Sequence, residues 1–541
     1  MFHKKQTLPF LLGMIICFIT LQVSAQSDYN NYNKLTQKIK NLQRANSSNS
    51  NLEELTTTIG RHKVWALTLS KGDAKTKPAI AIVSGVDGAH ILGPEMAVNI
   101  AENILNNHAD ALEKTTFYIF PNMSPNATEN YFSSIKHYKN GNSKNTDDDR
   151  DGKTNEDPFE DLNNDGLITM MRIEDITGNY IKLEEDERIL VKADKNKGQT
   201  GTYKVLSEGI DNDKDGTFNE DGKGGVLFNK NFSFEYQYFK PGTGEHPISE
   251  KENRDLLDFL YDQWNIFAIV TLGPENNLSN PLKYNASAAK KRVVTSILKE
   301  DAALNKFLSE KYNKITGTKN APVSKGKGGD FFQWSYFHFG KLALSTPGWW
   351  VPQVKDSAKK PSKDRYVNFL KWAKKESIRD AFVNWKQVNH PDFPNQKVEV
   401  GGIAPYKMIN PPYKMVAEIS KKHTDFILEL AKMQPNITLQ NITSETVGNG
   451  ITRISVDIHN SGLLPTHTEM GKKSRWLRKI KVAITLTKNQ KIISGQEITL
   501  VTSLDGDSTK EFSWLIKGNG SVLIEAGTSH TGSDSATIKL K

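Results

Sequence analysis

Three short acidic loops hold the densest ionisable chemistry in the sequence. Asp147, Asp149 and Asp151 alternate ahead of Gly152, and Asn155, Glu156 and Asp157 follow. Asp161, Asn163 and Asp165 precede Gly166, with Arg172 at the twelfth position of that loop. Asp211, Asp213 and Asp215 precede Gly216 and run on to Asn219, Glu220 and Asp221. Oxygen ligands at positions one, three and five, with glycine at six for a sharp turn, are what one loop must offer a hard cation. The pattern predicts structural calcium within residues 147–221. The middle loop fits less well, because an EF-hand would place Glu where Arg172 stands. A solvated acidic insert is the competing explanation.

Composition narrows what else could bind a metal. The chain has 541 residues, 71 Lys+Arg against 62 Asp+Glu, and one cysteine, Cys17. One cysteine makes no intramolecular disulfide and no Cys-rich zinc or iron–sulfur site, so a metal must sit on His, Asp, Glu or backbone oxygen. The net charge of +9 is mild for this length. With no long Lys/Arg run or stripe, nucleic acid is not expected as a partner.

Lys4 and Lys5, the apolar run Leu8–Leu21 and the small residues Val23-Ser24-Ala25 read as a signal peptide over residues 1–25. No other stretch approaches the ~20 apolar residues of a membrane span. The expected product is an exported, periplasmic or extracellular protein, cysteine-free once Cys17 is removed.

The elements that must position these loops follow from periodicity. Residues 26–60 read as a polar, partly helical lead-in. Over 61–433 apolar runs alternate with helical patterns: Ala79–Gly85 then Pro94–Asn106, Thr115–Phe120, Ser249–Asp262 then Phe267–Leu272, and Lys341–Thr346. Such alternation predicts an α/β domain with a mixed sheet flanked by helices. Ser249 with Glu252 predicts a capping box. From 437 to 541 short alternating runs between Gly/Asn/Asp turns predict a small β-sandwich.

Within this frame the segment Ile82-Val83-Ser84-Gly85-Val86-Asp87-Gly88-Ala89-His90-Ile91-Leu92-Gly93-Pro94-Glu95 resembles the first-strand segment of secreted bacterial zinc carboxypeptidases. Phe120-Pro121-Asn122-Met123-Ser124-Pro125-Asn126 is similar to the family's Asn-Pro-Asp-Gly turn, and Asn229-Lys230-Asn231-Phe232 to its Asn-Arg-Asn-Phe substrate segment. His246-Pro247-Ile248-Ser249-Glu250, Phe331-Phe332-Gln333-Trp334-Ser335-Tyr336 and Val398-Glu399-Val400-Gly401-Gly402 also fit, in order, over about residues 55–541.

The resemblance implies metal-assisted removal of a C-terminal residue: zinc on His, Glu and a second His, a carboxylate general base, and Arg side chains on the substrate carboxylate. Here those positions are changed. The first His position holds Asp87, the Glu position His90 and the second His position Gly273; the general-base position holds Pro347. The Asn-Arg pair becomes Asn229-Lys230, which keeps a positive charge without the bidentate fork. Asp87 and His90 could ligate zinc, yet a catalytic zinc takes three protein ligands, so Glu275 or a loop histidine would have to join them. With no base at Pro347, no catalytic residue is assigned. The zinc-site equivalents are expected to be non-functional, and zinc, the family cofactor, is doubtful here.

Three functions follow as expectations. The favoured one is an inactive pseudo-peptidase that binds peptide or peptidoglycan-type C-termini through Asn229 and Lys230. The alternatives are an active metallocarboxypeptidase with rearranged ligands and a calcium-stabilised structural or adhesion scaffold.

Overall fold

A computed structural model describes residues 28–138, 140–145, 147, 152–219, 224–323, 326–354 and 362–540. The expected signal peptide lies outside the described residues, as do Asp149, Asp151, Glu220 and Asp221. The body is built on a sheet of six strands. They are β1 (Ser50–Thr57), β2 (Lys63–Leu69), β3 (Ala79–Ser84), β4 (Thr116–Phe120), β9 (Ile266–Leu272) and β10 (Leu342–Thr346), in the order β1-β2-β4-β3-β9-β10. β3 runs parallel to β4 and β9, and β9 parallel to β10, whereas β2 is antiparallel to β1 and β4.

The near-continuous apolar sequences of β3 and β9 reflect burial of both faces. Ile80, Ile82, Ala268, Val270 and Leu272 pack with residues of the helices Leu92–Asn107, Lys299–Thr316, Arg365–Lys375 and Val416–Lys432. Ala79, Ala81, Val83, Ile266 and Ile269 pack with the helices Lys251–Asp262 and Phe331–Phe337. The expected strands and helices of the body therefore form a mixed sheet covered by helices on both faces.

Residues 28–60 belong to the same body. The helix Tyr32–Ala45 places Leu35, Ile39 and Leu42 on one buried face, and β1 forms the edge of the main sheet. That segment is polar on average, but its few apolar residues sit at helical spacing. The helix over 251–262 starts differently from the predicted capping box. Its N-cap is Glu250, without a side-chain cap bond, and Ser249 Oγ donates to Glu250 Oε1 at 2.8 Å.

A second sheet grows from the acidic insert. It contains β5 (Met170–Glu174), β6 (Tyr180–Leu183), β7 (Asp186–Lys192), β8 (Tyr203–Ser207), β11 (Phe382–Val388) and β12 (Val398–Ile403), in the order β11-β12-β5-β8-β6-β7. Arg172 lies on β5 opposite Glu399 of β12, and its Nε donates to Glu399 Oε2 at 2.8 Å. The twelfth position of the middle loop is thus a strand residue in a cross-strand ion pair.

After residue 436 the chain is almost wholly β. β13 (Ile437–Gly448), β14 (Ile451–Asn460), β16 (Lys491–Ser494) and β18 (Ser508–Lys517) form one sheet. β15 (Ile480–Thr485), β17 (Ile498–Val501), β19 (Ser521–Thr528) and β20 (Gly532–Lys539) form another. Ile454, Val456 and Ile458 from the first sheet meet Val482, Ile484, Val522 and Ile524 from the second in one core, as the two-residue alternation requires.

Candidate functional site

The C-terminal ends of β3, β9 and β10 bring together the segments that carry the sequence-predicted site. β3 leaves the sheet through Gly85, at φ +64°, where a β-carbon would stand 2.3 Å from Asn122 Oδ1 and 2.7 Å from Asn122 Cα. Only glycine allows the turn at 122–124 to lie this close. The chain then presents Asp87 and His90 ahead of the helix Leu92–Asn107.

One polar atom of each side chain is already engaged within the protein, while His90 Nδ1 is buried without a hydrogen-bond partner. Asp87 Oδ1 accepts the Ala89 N–H at 2.9 Å. His90 is 4% exposed, and its Nε2 lies 2.9 Å from the Pro347 carbonyl oxygen. A carbonyl only accepts, so Nε2 carries the proton. Burial holds the imidazole below its usual pKa, which keeps the ring neutral.

Gly273 follows β9, and its N–H donates to Thr346 O at 3.1 Å. A β-carbon there would stand 2.6 Å from Val86 Cγ2. The space a histidine stem would need is therefore filled by Val86. Glu275, two residues on, is 6% exposed. Its Oε1 accepts from Asn229 Nδ2 at 3.0 Å, while its buried Oε2 has no hydrogen-bond partner. Burial, followed by the charges of Asp330 and Asp87, pushes the Glu275 carboxyl up to about 8.

Asn229 and Lys230 are committed in different ways. Asn229 Oδ1 accepts the Phe331 N–H at 3.0 Å, so its amide joins β9's exit to the start of the helix Phe331–Phe337. Lys230 Nζ donates to Pro241 O at 3.1 Å at an exposed position. Trp349 is buried against Trp372, with ring centroids 5.3 Å apart, and belongs to the core.

Sequence reasoning missed two residues near this site. Asp330 caps the helix Phe331–Phe337 through Oδ1, which accepts the Gln333 N–H at 2.6 Å. The spacing Asp-x-x-Gln before an apolar run is a capping signal that could have revealed it. Tyr406, at φ +67° and 1% exposed, donates through its hydroxyl to His137 O at 2.7 Å. No local pattern marks a buried tyrosine in a left-handed conformation.

The residues present do not fit a zinc ion. Gly273 supplies no donor, and Pro347 contributes only the carbonyl that His90 already uses. Among the described residues, the one group of three or more His, Cys, Asp or Glu with ligand atoms all within 4.8 Å of one another is Asp157, Asp211 and Asp213. Asp87, His90 and Glu275 do not form such a group.

The acidic loops are brought together unequally. Asp157, from the tail of the first loop, meets Asp211 and Asp213 of the third. Asp147 Oδ2 accepts the Gly152 N–H at 3.0 Å, and Glu156 Oε1 accepts from Lys153 at 3.1 Å. Asp215 Oδ1 accepts the Thr217 N–H at 2.6 Å. In the middle loop Asp161 accepts the N–H groups of Asp165 and Gly166, and Asn163 bonds Asp165. Among the described residues, no helix is long and apolar enough to cross a membrane.

Residues 35–345, more than half of the chain, match the sequence profile described as zinc carboxypeptidase. Residues 436–539 match a domain of unknown function, DUF8731. Bovine thrombin-activatable fibrinolysis inhibitor, solved in complex with tick carboxypeptidase inhibitor, is similar at 11% identity and a TM-score of 0.40, over 75% of this chain and 97% of that one. Carboxypeptidase A from Helicoverpa armigera is similar at 10% identity and 0.37, over 62% and 68%. A putative carboxypeptidase A from Shewanella denitrificans is similar at 11% identity and 0.30, over 74% and 69%. No curated protein matches the sequence.

Proposed function

Because the chain belongs to the zinc carboxypeptidase family, we propose that it is a non-catalytic member, exported on its leader, which keeps the fold to bind peptide or peptidoglycan-type C-termini without cutting them. Zinc is the family's cofactor, and the closure of the Gly273 position by Val86 is the observation that carries the loss of catalysis. A general base alone contributes about 10²–10⁴-fold to rate, and the metal's activated water most of the remainder. Both positions are altered here.

In this proposal Lys230 is the cation that meets a ligand's terminal carboxylate, exchanging its bond to Pro241 O for a charge-assisted one. Asn229 acts by positioning, since both ends of its amide already hold the site together. Titrating free and C-terminally amidated peptides against the protein and against Lys230→Ala tests this. Binding should weaken roughly 5–20-fold with either change, as expected for one partly exposed charged hydrogen bond. Binding indifferent to both changes would favour a scaffold instead.

Structural calcium in the acidic insert is the second part of the proposal. It is supported by the approach of Asp157, Asp211 and Asp213. The α/β body and the closing β-sandwich are taken as separate domains.

A further inference from the structure

We infer that Asp157, Asp211 and Asp213 form one cation site, shared between the first and third acidic loops and suited to calcium; the inference rests on the calcium proposal and gives it residues. Their carboxylate oxygens lie within 4.8 Å of one another although they come from separate loops. Asp157 is 0% exposed and Asp211 8% exposed. Asp211 Oδ2 accepts the Gly216 N–H at 3.1 Å, but its Oδ1 is sealed from solvent with no donor. A buried carboxylate oxygen without a donor is unfavourable, and a bound cation reverses the sign.

Among the described residues a lysine, Lys214, stands beside the site, and its charge is felt by both Asp211 and Asp157. Lys214 Nζ donates to the Asp211 main-chain oxygen at 2.8 Å and to Asp392 Oδ1 at 2.5 Å, so its ammonium is directed at Asp392. Asp392 Oδ2 accepts the Asp211 N–H at 3.1 Å, and Glu160 Oε1 accepts from Asn212 Nδ2 at 2.8 Å, adding negative charge at the rim. All three ligand side chains are carboxylates, a hard-oxygen set that selects calcium over zinc or copper.

The middle loop is different. Both oxygens of Asp161 are taken by its own backbone, and Lys386 Nζ lies 3.3 Å from Asn163 O. Neither Asp161 oxygen is left without a donor, as Asp211 Oδ1 is.

The shared site also gives the first and third of the three loops a common role. The two arms of the insert leave the body side by side, where Asn142 N donates to Val226 O at 2.8 Å and Val226 N to Asn142 Oδ1 at 3.1 Å. An ion held by Asp157, Asp211 and Asp213 joins the same two arms at a second point, a short way along the chain from Asn229.

The test uses the full mature chain stripped of metal, with calcium chloride as the probe and bound calcium counted by titration and metal analysis. Asp157→Asn and the milder, half-buried Asp213→Asn should each remove one calcium equivalent or weaken it at least ~10-fold. The double variant should lose that same single equivalent, and Asp161→Asn should keep the wild-type number. Loss of two equivalents in the double variant would overturn a shared site while leaving calcium binding intact. So would wild-type binding by Asp157→Asn beside a defective Asp213→Asn. No calcium uptake by the wild type would overturn both the shared site and the calcium proposal. Circular dichroism in chelator separates lost binding from lost fold.

Discussion

His90 Nε2 lies 2.9 Å from the carbonyl oxygen of Pro347, which ties the segment proposed as the zinc-ligand equivalent directly to the proposed general-base equivalent. The two altered positions are therefore partners. The imidazole is buried and neutral, and it bridges the β3–helix junction to the loop that follows β10. A side chain in that role holds two segments together and has no lone pair at Nε2 for a metal.

His90→Ala should accordingly behave as a structural mutation. It leaves the part-buried Pro347 carbonyl without its donor and opens a cavity at a buried ring, so stability should fall by about 2–4 kcal/mol in urea unfolding. A change below about 0.5 kcal/mol would mean that the bond holds nothing together.

Gly273 and Val86 should be energetically coupled. Gly273→Ala places a β-carbon 2.6 Å from Val86 Cγ2, and overpacking of this kind costs about 1–3 kcal/mol. In a Val86→Ala background the same substitution should cost clearly less. A double-mutant cycle of denaturant midpoints measures the difference, and strict additivity would show that Val86 does not close the position.

Glu275 predicts a pH dependence. Its folded pKa is raised to about 8 from an ordinary 4.5, so the folded state holds the proton more tightly than the unfolded state does. Its contribution is fully present below about pH 4.5 and is lost as pH rises through about 8. Glu275→Gln removes this slope, so the variant should gain stability relative to the parent between pH 5 and 9. A difference that stays flat over that range would mean the carboxyl ionises normally.

Lys341 works in the opposite sense and in a higher window. Its side-chain nitrogen is fully buried, with Nζ donating to Ile266 O at 2.9 Å and Trp476 O at 3.1 Å, and burial lowers its pKa to about 7. Between about pH 7 and 10.5 the unfolded state binds more protons, so stability rises with pH. Lys341→Met abolishes that rise. The parent's advantage in Tm should grow from pH 7 to 10, and a constant gap would contradict the buried, neutral amine.

Much of the fold could be read from the sequence because both faces of β3 and β9 are buried, which leaves apolar runs that local pattern reveals. The helix Tyr32–Ala45 was harder to see as part of the body, since Leu35, Ile39 and Leu42 are thinly spread in a polar segment. β5 escaped notice between acidic loops, where Arg172 reads as a failed ligand and not as the partner of Glu399. At the site, the residue types at 87, 90, 273 and 347 are what the sequence itself displays. Their replacements' partners are long-range: His90 with Pro347, Val86 with Gly273, Asn229 with Glu275. Such contacts depend on how strands pair, which no local spacing encodes.

The central claim is that this member of the family has lost its catalytic zinc. Metal analysis of the purified mature protein after zinc exposure and desalting, run beside a C-terminal release assay on a mixed peptide library, tests it most directly. The account predicts well under one zinc per chain and no release above background, with or without chelator. One tightly held zinc per chain together with chelator-sensitive release of C-terminal residues would contradict it.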